Sequence, residues 1–248
     1  MMIVSHNERV AAVNKAFLGM RRCCGEADVV ANMVADLQMV GLDGVRHFNN
    51  ASNYIGLESD TPVAISVTSD NTVEVDLHKS SVACHLPVIM DYAIEKMVGK
   101  KALKIELLNC HNRWLAYSEL VKLASKGIAC TASWANGSNP KRTLYVLNRG
   151  CVAPELFLSD EVSPHTDDYH NMTIELSIHD FDVDALSQGF EQHITSSSLT
   201  ESQSNAWQNG IEVDEKEWGI LKETATAILV ENSQRSVQGA GELEPETI

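Results

Sequence analysis

The sequence lacks the short signatures that assign a chain at once to a nucleotide-binding or hydrolytic class. Its 248 residues contain no GxGxxG, P-loop, GxSxG or HExxH motif. No apolar run approaches the roughly eighteen residues of a membrane helix, and Met1–Ser5 is too short and too weakly basic for a signal peptide. We therefore expect a cytoplasmic protein whose site lies outside the standard motifs.

Positive charge is scarce, and one long segment has none. The chain has 19 Lys and Arg against 34 Asp and Glu, a formal net charge of −15. No lysine or arginine occurs between Arg149 and Lys216. Acidic residues crowd the first half of that segment: Asp160, Glu161, Asp167, Asp168, Asp180, Asp182 and Asp184. This charge excludes a nucleic-acid partner, which needs a basic stripe. A solvated acidic face explains the segment, and a divalent-cation site is the alternative.

Cysteine and histidine show no metal-binding spacing. The 6 cysteines include no CxxC pair and are sparse for a secreted disulfide scaffold, which indicates reduced, mostly buried thiols. His78, Cys84 and His85 are possible ligand types, but nothing supplies the remaining zinc ligands at a recognised spacing. The same holds for His165 and His170 in the acidic loop. No metal is predicted.

Periodicity predicts an α/β (mixed α+β) fold. We expect an N-terminal helical segment over residues 1–60, an α/β core with a C-terminal helix over 61–231, and a disordered tail over 232–248. Two helices at the start should form a hairpin, followed by a polar hinge, Asp43–Tyr54, that could form a short third helix. The alternating segment Thr61–Asp76 predicts a strand hairpin.

Further elements follow from the same patterns. We predict strands over Arg142–Leu147, Leu156–Leu158 and Met172–Ile178, and a polar loop over Ser159–Asn171. We predict helices over Leu86–Val98, with Pro87 in the first turn, over Asp182–Ile194 and over Glu215–Glu231, and a loop over Thr195–Ser204.

The chain is organised around residues 101–140, which read as strand, turn, helix and strand. Leu103–Leu108 and Ile128–Ser133 are predicted to be neighbouring parallel strands of a central βαβ unit in a mixed sheet, crossed by the helix Arg113–Lys126. Ligands of open α/β sheets bind beyond the carboxyl ends of strands. Asn109, Cys110 and His111 should therefore share one edge with the segment 136–139.

His111 is the strongest candidate for chemistry. It follows a strand and precedes a helix, whose dipole favours the neutral imidazole. Such a histidine can polarise a carbonyl or exchange a proton, although one that only packs against its turn is an equal alternative. Arg46, His47 and Arg113 are candidate anchors for a carboxylate, because guanidinium binds it bidentately. Ordinary surface charge is the alternative for these three residues.

Three stretches carry a resemblance to a known family. One is the helix end from Ala35 to Arg46. The second is Ile105–Asn136, with LLNCHNRW, KGIACTAS and the start of WANGSNP. The third is NGIEV at Asn209–Val213, followed by Trp218 and Leu221. Together they resemble the malate/L-lactate dehydrogenase family, which is distinct from the Rossmann lactate dehydrogenases. The opening Met2–Glu8 and the GLDG turn are similar to a group of short, uncharacterised bacterial proteins.

The resemblance implies a shortened dehydrogenase relative. It implies a homodimer that acts on or binds a small 2-oxo, 2-imino or 2-hydroxy carboxylate with NAD(P). His111 matches a family histidine, and Asp43 stands where a second one is expected, so these two are the implied catalytic residues. The implied substrate-binding residues are Arg46, His47, Arg113, Asn109 and Asn136.

The resemblance also predicts impaired cofactor use. The family's cofactor elements have no counterpart between Leu158 and Met172. The segment from Cys151 to Glu215, with Glu215 included, has fourteen acidic residues and no lysine or arginine, which would repel a pyrophosphate. No cofactor-binding residue is assigned, and NAD(P)H binding is predicted to be weak or absent. The alternative function is a catalytically inactive ligand-binding or assembly subunit on the same scaffold.

Overall fold

A computed structural model describes residues 1–22, 24–55, 63–162 and 169–227 and has the expected mixed α/β fold. The helices are α1 His6–Gly19, α2 Cys24–Met39, α3 Gly44–Ile55, α4 Val82–Lys96, α5 Tyr117–Ser125, α6 Val183–Leu186, α7 Ser196–Asn209 and α8 Glu215–Thr226, with a 3-10 turn at Arg113–Ala116. The strands are β1 Met2–Val4, β2 Ala64–Ser69, β3 Thr72–Asp76, β4 Ala102–Leu108, β5 Ala129–Ala135, β6 Arg142–Leu147, β7 Glu155–Ser159, β8 Met172–Ser177, β9 Gln192–Ile194 and β10 Ile211–Val213. The predicted tail 232–248 and His165 lie outside the described residues.

Eight strands form one mixed sheet in the order β2-β3-β4-β8-β5-β6-β7-β9. The hairpin β2-β3 is confirmed, and β3 pairs in parallel with β4. The remaining pairs of this sheet are antiparallel. The short strand β1 pairs with β10, so the start of the chain is joined to a segment near the end of the described core.

The central βαβ unit is present, but its two strands are not neighbours. β8 lies between β4 and β5 and is antiparallel to both, so β4 and β5 run in the same direction with one strand between them. The prediction of direct parallel pairing was therefore wrong. The physical reason is that β8 pairs through its backbone with both strands and adds Met172, Ile174 and Leu176 to the core, a long-range pairing that local periodicity does not reveal. The carboxyl ends of β4 and β5 still point to the same edge.

Two predicted helices differ from the observed ones. α4 begins at Val82, where the Ser81 side chain accepts from the backbone N–H of Ala83, so Pro87 lies inside the helix rather than in its first turn. The predicted helix over Asp182–Ile194 is only the single turn α6 followed by β9. Gly189 adopts a φ of +81° between these two elements, which is a conformation that ends helices.

The predicted loop over Thr195–Ser204 is instead part of helix α7. The Thr195 side chain accepts from the backbone N–H of Ser198 and caps the helix. Leu199 is its only buried residue. The Ser/Thr-rich composition therefore marks a capped surface helix with one anchor, and not an irregular loop.

The predicted N-terminal helical hairpin is confirmed, and the predicted hinge Asp43–Tyr54 is mostly helix α3. Gln38 joins α2 to its surroundings, because its side chain donates to Glu212 O at 2.8 Å and accepts from the Val45 N–H at 2.9 Å. Gly44 lies against α2 so closely that an added Cβ would overlap Val34 O and stand 2.8 Å from Gln38 N. Among the described helices, none is long and apolar enough to span a membrane.

This close approach gives a stability prediction. Gly44→Ala should lower the free energy of unfolding by about 3 kcal/mol or more, because overpacking here meets backbone rather than a movable side chain. Gly219→Ala is the matched control: Gly219 lies inside α8 with open space around its Cβ position. It should raise the free energy of unfolding by about 0.5–1 kcal/mol through helix propensity. Urea unfolding measures both, and equal stability of the two variants would contradict the packing argument.

Candidate functional site

His111 sits in a rigid turn after β4. The residues on either side of the Cys110-His111 pair, Asn109 and Asn112, have positive φ values of 50° and 60°. The His111 N–H donates to Ser80 O at 3.0 Å, and the His111 carbonyl accepts from the Val82 N–H at 3.0 Å. These bonds tie the turn to the start of α4, so the backbone that carries the imidazole is fixed on both sides.

Two aromatic side chains contact the His111 imidazole. The Tyr54 ring, from α3, stacks on it with a centroid distance of 3.8 Å and an interplanar angle of 15°. The His170 ring approaches at 4.6 Å and is tilted by 55°. His170 is itself held in place, because its carbonyl accepts from the Cys110 N–H at 2.6 Å. The half-buried His111 imidazole is therefore contacted by two side chains from distant parts of the chain.

These surroundings lower the pKa of His111 to about 4. Burial is the largest cause, followed by the positive charges of His170, Arg113 and Lys79. The imidazole is therefore neutral at pH 7, with one nitrogen able to donate and the other able to accept a hydrogen bond. A neutral imidazole of this kind can polarise a carbonyl or exchange a proton, so the role predicted for His111 stays a prediction that this geometry allows.

A second aromatic group lies two helical turns along α3. His47 stacks on Trp114 at 5.6 Å, and Trp114 meets Trp134 edge to face at 5.3 Å. Burial lowers the pKa of His47 to about 4, against the opposing effect of Asp43. His47 and Tyr54 are seven residues apart and share one helix face. That face presents neutral aromatic groups to the segment 111–114, and His47 carries no charge there for a carboxylate.

Arg113 connects the two strand ends. Its guanidinium donates to Cys110 O, Ala135 O and Asn136 Oδ1, each at 3.1 Å. Its Nε is buried and has no hydrogen-bond partner in the described part of the chain. The turn after β4 and the loop after β5 therefore share one edge, as expected. Because the guanidinium is used within the protein, Arg113 acts here as a clamp between strands.

The predicted pair Asp43 and Arg46 lies at the beginning of α3. Arg46 Nη1 is 3.1 Å from Asp43 Oδ2, and its Nε is 3.7 Å from Glu217 Oε1. The cation is thus placed between two carboxylates. Asp43 also lines a cavity of about 220 Å³ whose wall includes Gln38, Ser202 and Asn205 and does not include His111.

The two predicted asparagines support loops. Asn109 Nδ2 donates to Asp76 Oδ1 at 3.0 Å, which lowers the pKa of Asp76, and the Asn109 N–H donates to Asn171 Oδ1 at 3.1 Å. Asn136 Nδ2 donates to Pro140 O at 2.8 Å and its Oδ1 accepts from Arg113. Both side chains are therefore engaged by neighbouring loops at the edge that carries His111.

Sequence reasoning missed Tyr54 and Lys79 and considered His170 only as a metal ligand. Tyr54 could have been found from its spacing to His47, since two helical turns place both on one face. Lys79 and His170 gave no local signal, because strand pairing brings them to His111. Among the described residues, no group of three or more His, Cys, Asp and Glu side chains could hold a metal ion.

Comparisons with known proteins add the fold class. Residues 4–85 match the family described as "Protein of unknown function (DUF3726)". No curated protein matches the chain. A dehydrogenase from Sinorhizobium meliloti is structurally similar, with a TM-score of 0.69 and 10% identity over 90% of this chain and 99% of that one.

Two further solved structures are similar. Malate dehydrogenase from Pyrococcus horikoshii has a TM-score of 0.68 at 10% identity over 94% of this chain and 97% of that one. The δ1-piperideine-2-carboxylate reductase from Pseudomonas syringae has a TM-score of 0.64 at 10% identity over 90% of this chain and 100% of that one. The protein therefore has a malate/lactate dehydrogenase-like fold. This confirms the resemblance drawn from the sequence, and the low sequence identity fits a divergent chain.

The environment of His111 yields a titration prediction. We expect His111 to titrate near pH 4, and His170→Gln to move its pKa upward, because one neighbouring positive charge is removed. His193→Gln is the control, since His193 pairs with Glu155 on a distant strand. Two-dimensional NMR of the histidine side chains measures these values. A His111 that titrates near 6.5 in the wild type would contradict the described enclosure.

Proposed function

We propose that the protein binds a small 2-oxo, 2-imino or 2-hydroxy carboxylate at the edge beyond β4, with His111 hydrogen-bonded to the 2-substituent. The observation that carries the proposal is the neutral imidazole held between Tyr54 and His170 on a dehydrogenase-like scaffold. A neutral imidazole can donate to a 2-oxo oxygen or accept from a 2-hydroxyl group without an ionic partner. The Tyr54 ring adds a flat apolar wall beside a planar substrate.

Lys79 is the best-placed anchor for the substrate carboxylate. Its amine is exposed and close enough to His111 to lower the pKa of the imidazole. The backbone positions it firmly, since the Lys79 N–H donates to Asn109 O at 2.7 Å. Arg113 is occupied by three protein oxygens and Arg46 by two carboxylates. The proposed anchor is therefore Lys79 in preference to the two arginines.

If the site is catalytic, His111 exchanges a proton with the 2-oxygen of the bound carboxylate. Positioned acid/base help contributes typically about 10²–10⁴-fold to rate. Such chemistry would also need a hydride donor, and the resemblance implies NAD(P). The described residues do not fit that group. Arg149 is paired with Asp180 at 3.0 and 3.2 Å, and Arg142 donates to Ser159, Glu161 and Gly189. We therefore propose no step through the cofactor.

A ligand-binding or assembly subunit without catalysis is the second candidate. One specific observation favours it: Asp43, which stands where the family has a histidine, forms an ion pair with Arg46 and lines a cavity apart from His111. In this reading, His111 and Lys79 bind the carboxylate and no reaction follows. A homodimer, as the resemblance implies, stays a prediction in either case.

Pyruvate tests the carboxylate site. We expect pyruvate to bind, to shift the His111 side-chain NMR signals, and to bind more tightly than propionate, which lacks the 2-oxo group. His111→Gln should remove the preference for pyruvate. Lys79→Met should weaken binding by about tenfold or more, because a hydrogen bond to a charged group contributes roughly 1.5–3 kcal/mol.

The matched control is Lys101→Met. Lys101 is also exposed but precedes β4, at the strand end opposite His111. It should leave the affinity for pyruvate unchanged. Equal binding of pyruvate and propionate, or equal weakening by both lysine variants, would reject a site built from His111 and Lys79.

Titration with NADH and NADPH tests whether the protein binds a nicotinamide cofactor. We expect no micromolar binding by calorimetry, because the basic residues next to the acidic segment, Arg142 and Arg149, are already engaged. Asp180→Asn removes the ion pair of Arg149. We expect this variant also to show no micromolar binding of NADH or NADPH, because the rest of the acidic segment still repels the pyrophosphate. Micromolar binding to the wild type that is lost in His111→Ala would restore a dehydrogenase function.

A further inference from the structure

Helix α7 covers α2 without filling the space between them. Because Leu199 is the only buried residue of α7, the small Ser and Thr side chains around it leave gaps. One gap is a cavity of about 160 Å³ enclosed by α2, α5, α7 and residues 152–153. It shares no lining residue with the turn of His111. The cavity is a separate feature of the molecule.

Two polar groups in the lining of this cavity have no hydrogen-bond partner among the described residues. Ser118 is only 3% exposed, and its buried Oγ makes no hydrogen bond in the described part of the chain. Asp36 also lines the cavity, and no described residue lies within ion-pair or hydrogen-bond distance of its carboxylate. A partly buried carboxylate and a hydroxyl group in the lining of one cavity offer acceptors that no described residue uses.

The charges that face Asp36 do not replace a direct partner. Lys122 on α5 and Arg9 and His6 on α1 favour its charged form, and Glu119 opposes it. Lys122 pairs with Glu119, and the fully buried Arg9 makes no hydrogen bond with any described residue. Burial outweighs these charges, so the pKa of Asp36 is raised. The carboxylate is partly buried, and no described residue gives it a donor within contact distance.

The rest of the wall is apolar. Val40, Val121, Val152 and Leu199 line the cavity beside the polar groups. A ligand that complements this wall has a strong donor at one end and a short hydrocarbon at the other. A primary ammonium group supplies three donors and a positive charge, whereas water supplies no charge and leaves the apolar wall without contacts.

We propose that this cavity binds a small primary ammonium compound with a short apolar chain, whose ammonium group donates to Asp36 and Ser118. The hydrocarbon part packs on Val121 and Leu199. Both a simple alkylamine and an apolar amino acid carry this chemistry. An amino acid has a carboxylate in addition, for which Lys122 is the nearest cation in the lining.

Calorimetric titrations of the full chain with isobutylamine, L-valine and sodium isobutyrate show which group of the ligand is needed for binding. Binding of isobutylamine, alone or together with L-valine, supports an ammonium site. Binding of L-valine alone supports a site that needs the ammonium and the carboxylate together. Isobutyrate should not bind. Binding of isobutyrate as tightly as the amines, or no binding of any amine at millimolar concentration, would overturn the proposal.

Asp36→Asn should weaken amine binding by about tenfold or more, which corresponds to at least about 1.4 kcal/mol. This variant should fold, because its neutral side chain replaces a carboxylate whose charged form burial already disfavours. Asp28→Asn is the matched control on α2, since Asp28 is exposed, pairs with Asn14 and does not line this cavity. Ser118→Ala should weaken binding and keep the fold. Unchanged affinity in Asp36→Asn would overturn the site even if an amine binds.

Discussion

The arrangement of the candidate site depends on one partly buried cation. Arg113 joins the turn after β4 to the loop after β5 through three hydrogen bonds to Cys110, Ala135 and Asn136. Desolvating a guanidinium costs several kcal/mol, and burial lowers the pKa of Arg113 accordingly. Hydrogen bonds that involve a charged group contribute about 1.5–3 kcal/mol each, which offsets this cost. The same charge helps to keep His111 neutral, so the residue that builds the turn also sets its electrostatics.

Helix α3 supplies the other half of the site, and a glycine makes its position possible. Gly44 lets α3 begin against the backbone of α2, and from there His47 and Tyr54 reach Trp114 and His111. Both imidazoles have a lowered pKa. In the unfolded chain both histidines have a pKa near 6.5 and bind a proton more tightly than in the folded protein. The free energy of unfolding therefore falls as pH is lowered from about 6.5 toward 4. Keeping the site uncharged at neutral pH therefore lowers tolerance to acid.

Local sequence patterns predicted the helices and strands themselves better than they predicted which of these elements lie next to each other. The turn carrying His111, the helical hairpin and the strands around it follow from periodicity and capping, because these depend on residues close in sequence. The insertion of β8 between β4 and β5 could not be predicted this way, since Met172–Ser177 would alternate identically at any sheet position. Helix α7 was missed because a cap at Thr195 and one anchor, Leu199, outweigh its low helix propensity.

The candidate site residues show the same difference between local and long-range information. His111 could be proposed from the sequence because strand ends are local features. Arg113 was assigned to a substrate, whereas the structure places it between two strands, because its acceptors Ala135 and Asn136 are more than twenty residues away. Tyr54, Lys79 and His170 come to His111 only through α3 and the sheet. A candidate residue at a strand end can thus be proposed from local sequence, while the residues that surround it depend on the complete fold.

The distribution of positive charge connects the fold to the proposed function. At the edge near His111 the exposed Lys79 amine has no hydrogen bond or ion pair with a described residue, while Arg113, Arg46 and Lys141 are held by protein oxygens. A single cation beside a neutral imidazole balances one carboxylate, and a second negative group would face the aromatic rings of Tyr54 and His170 without a partner. In the proposed function, this favours monocarboxylates over dicarboxylates. The scaffold shared with malate dehydrogenases therefore does not by itself carry over their substrate, because selectivity depends on how many of its cations remain free.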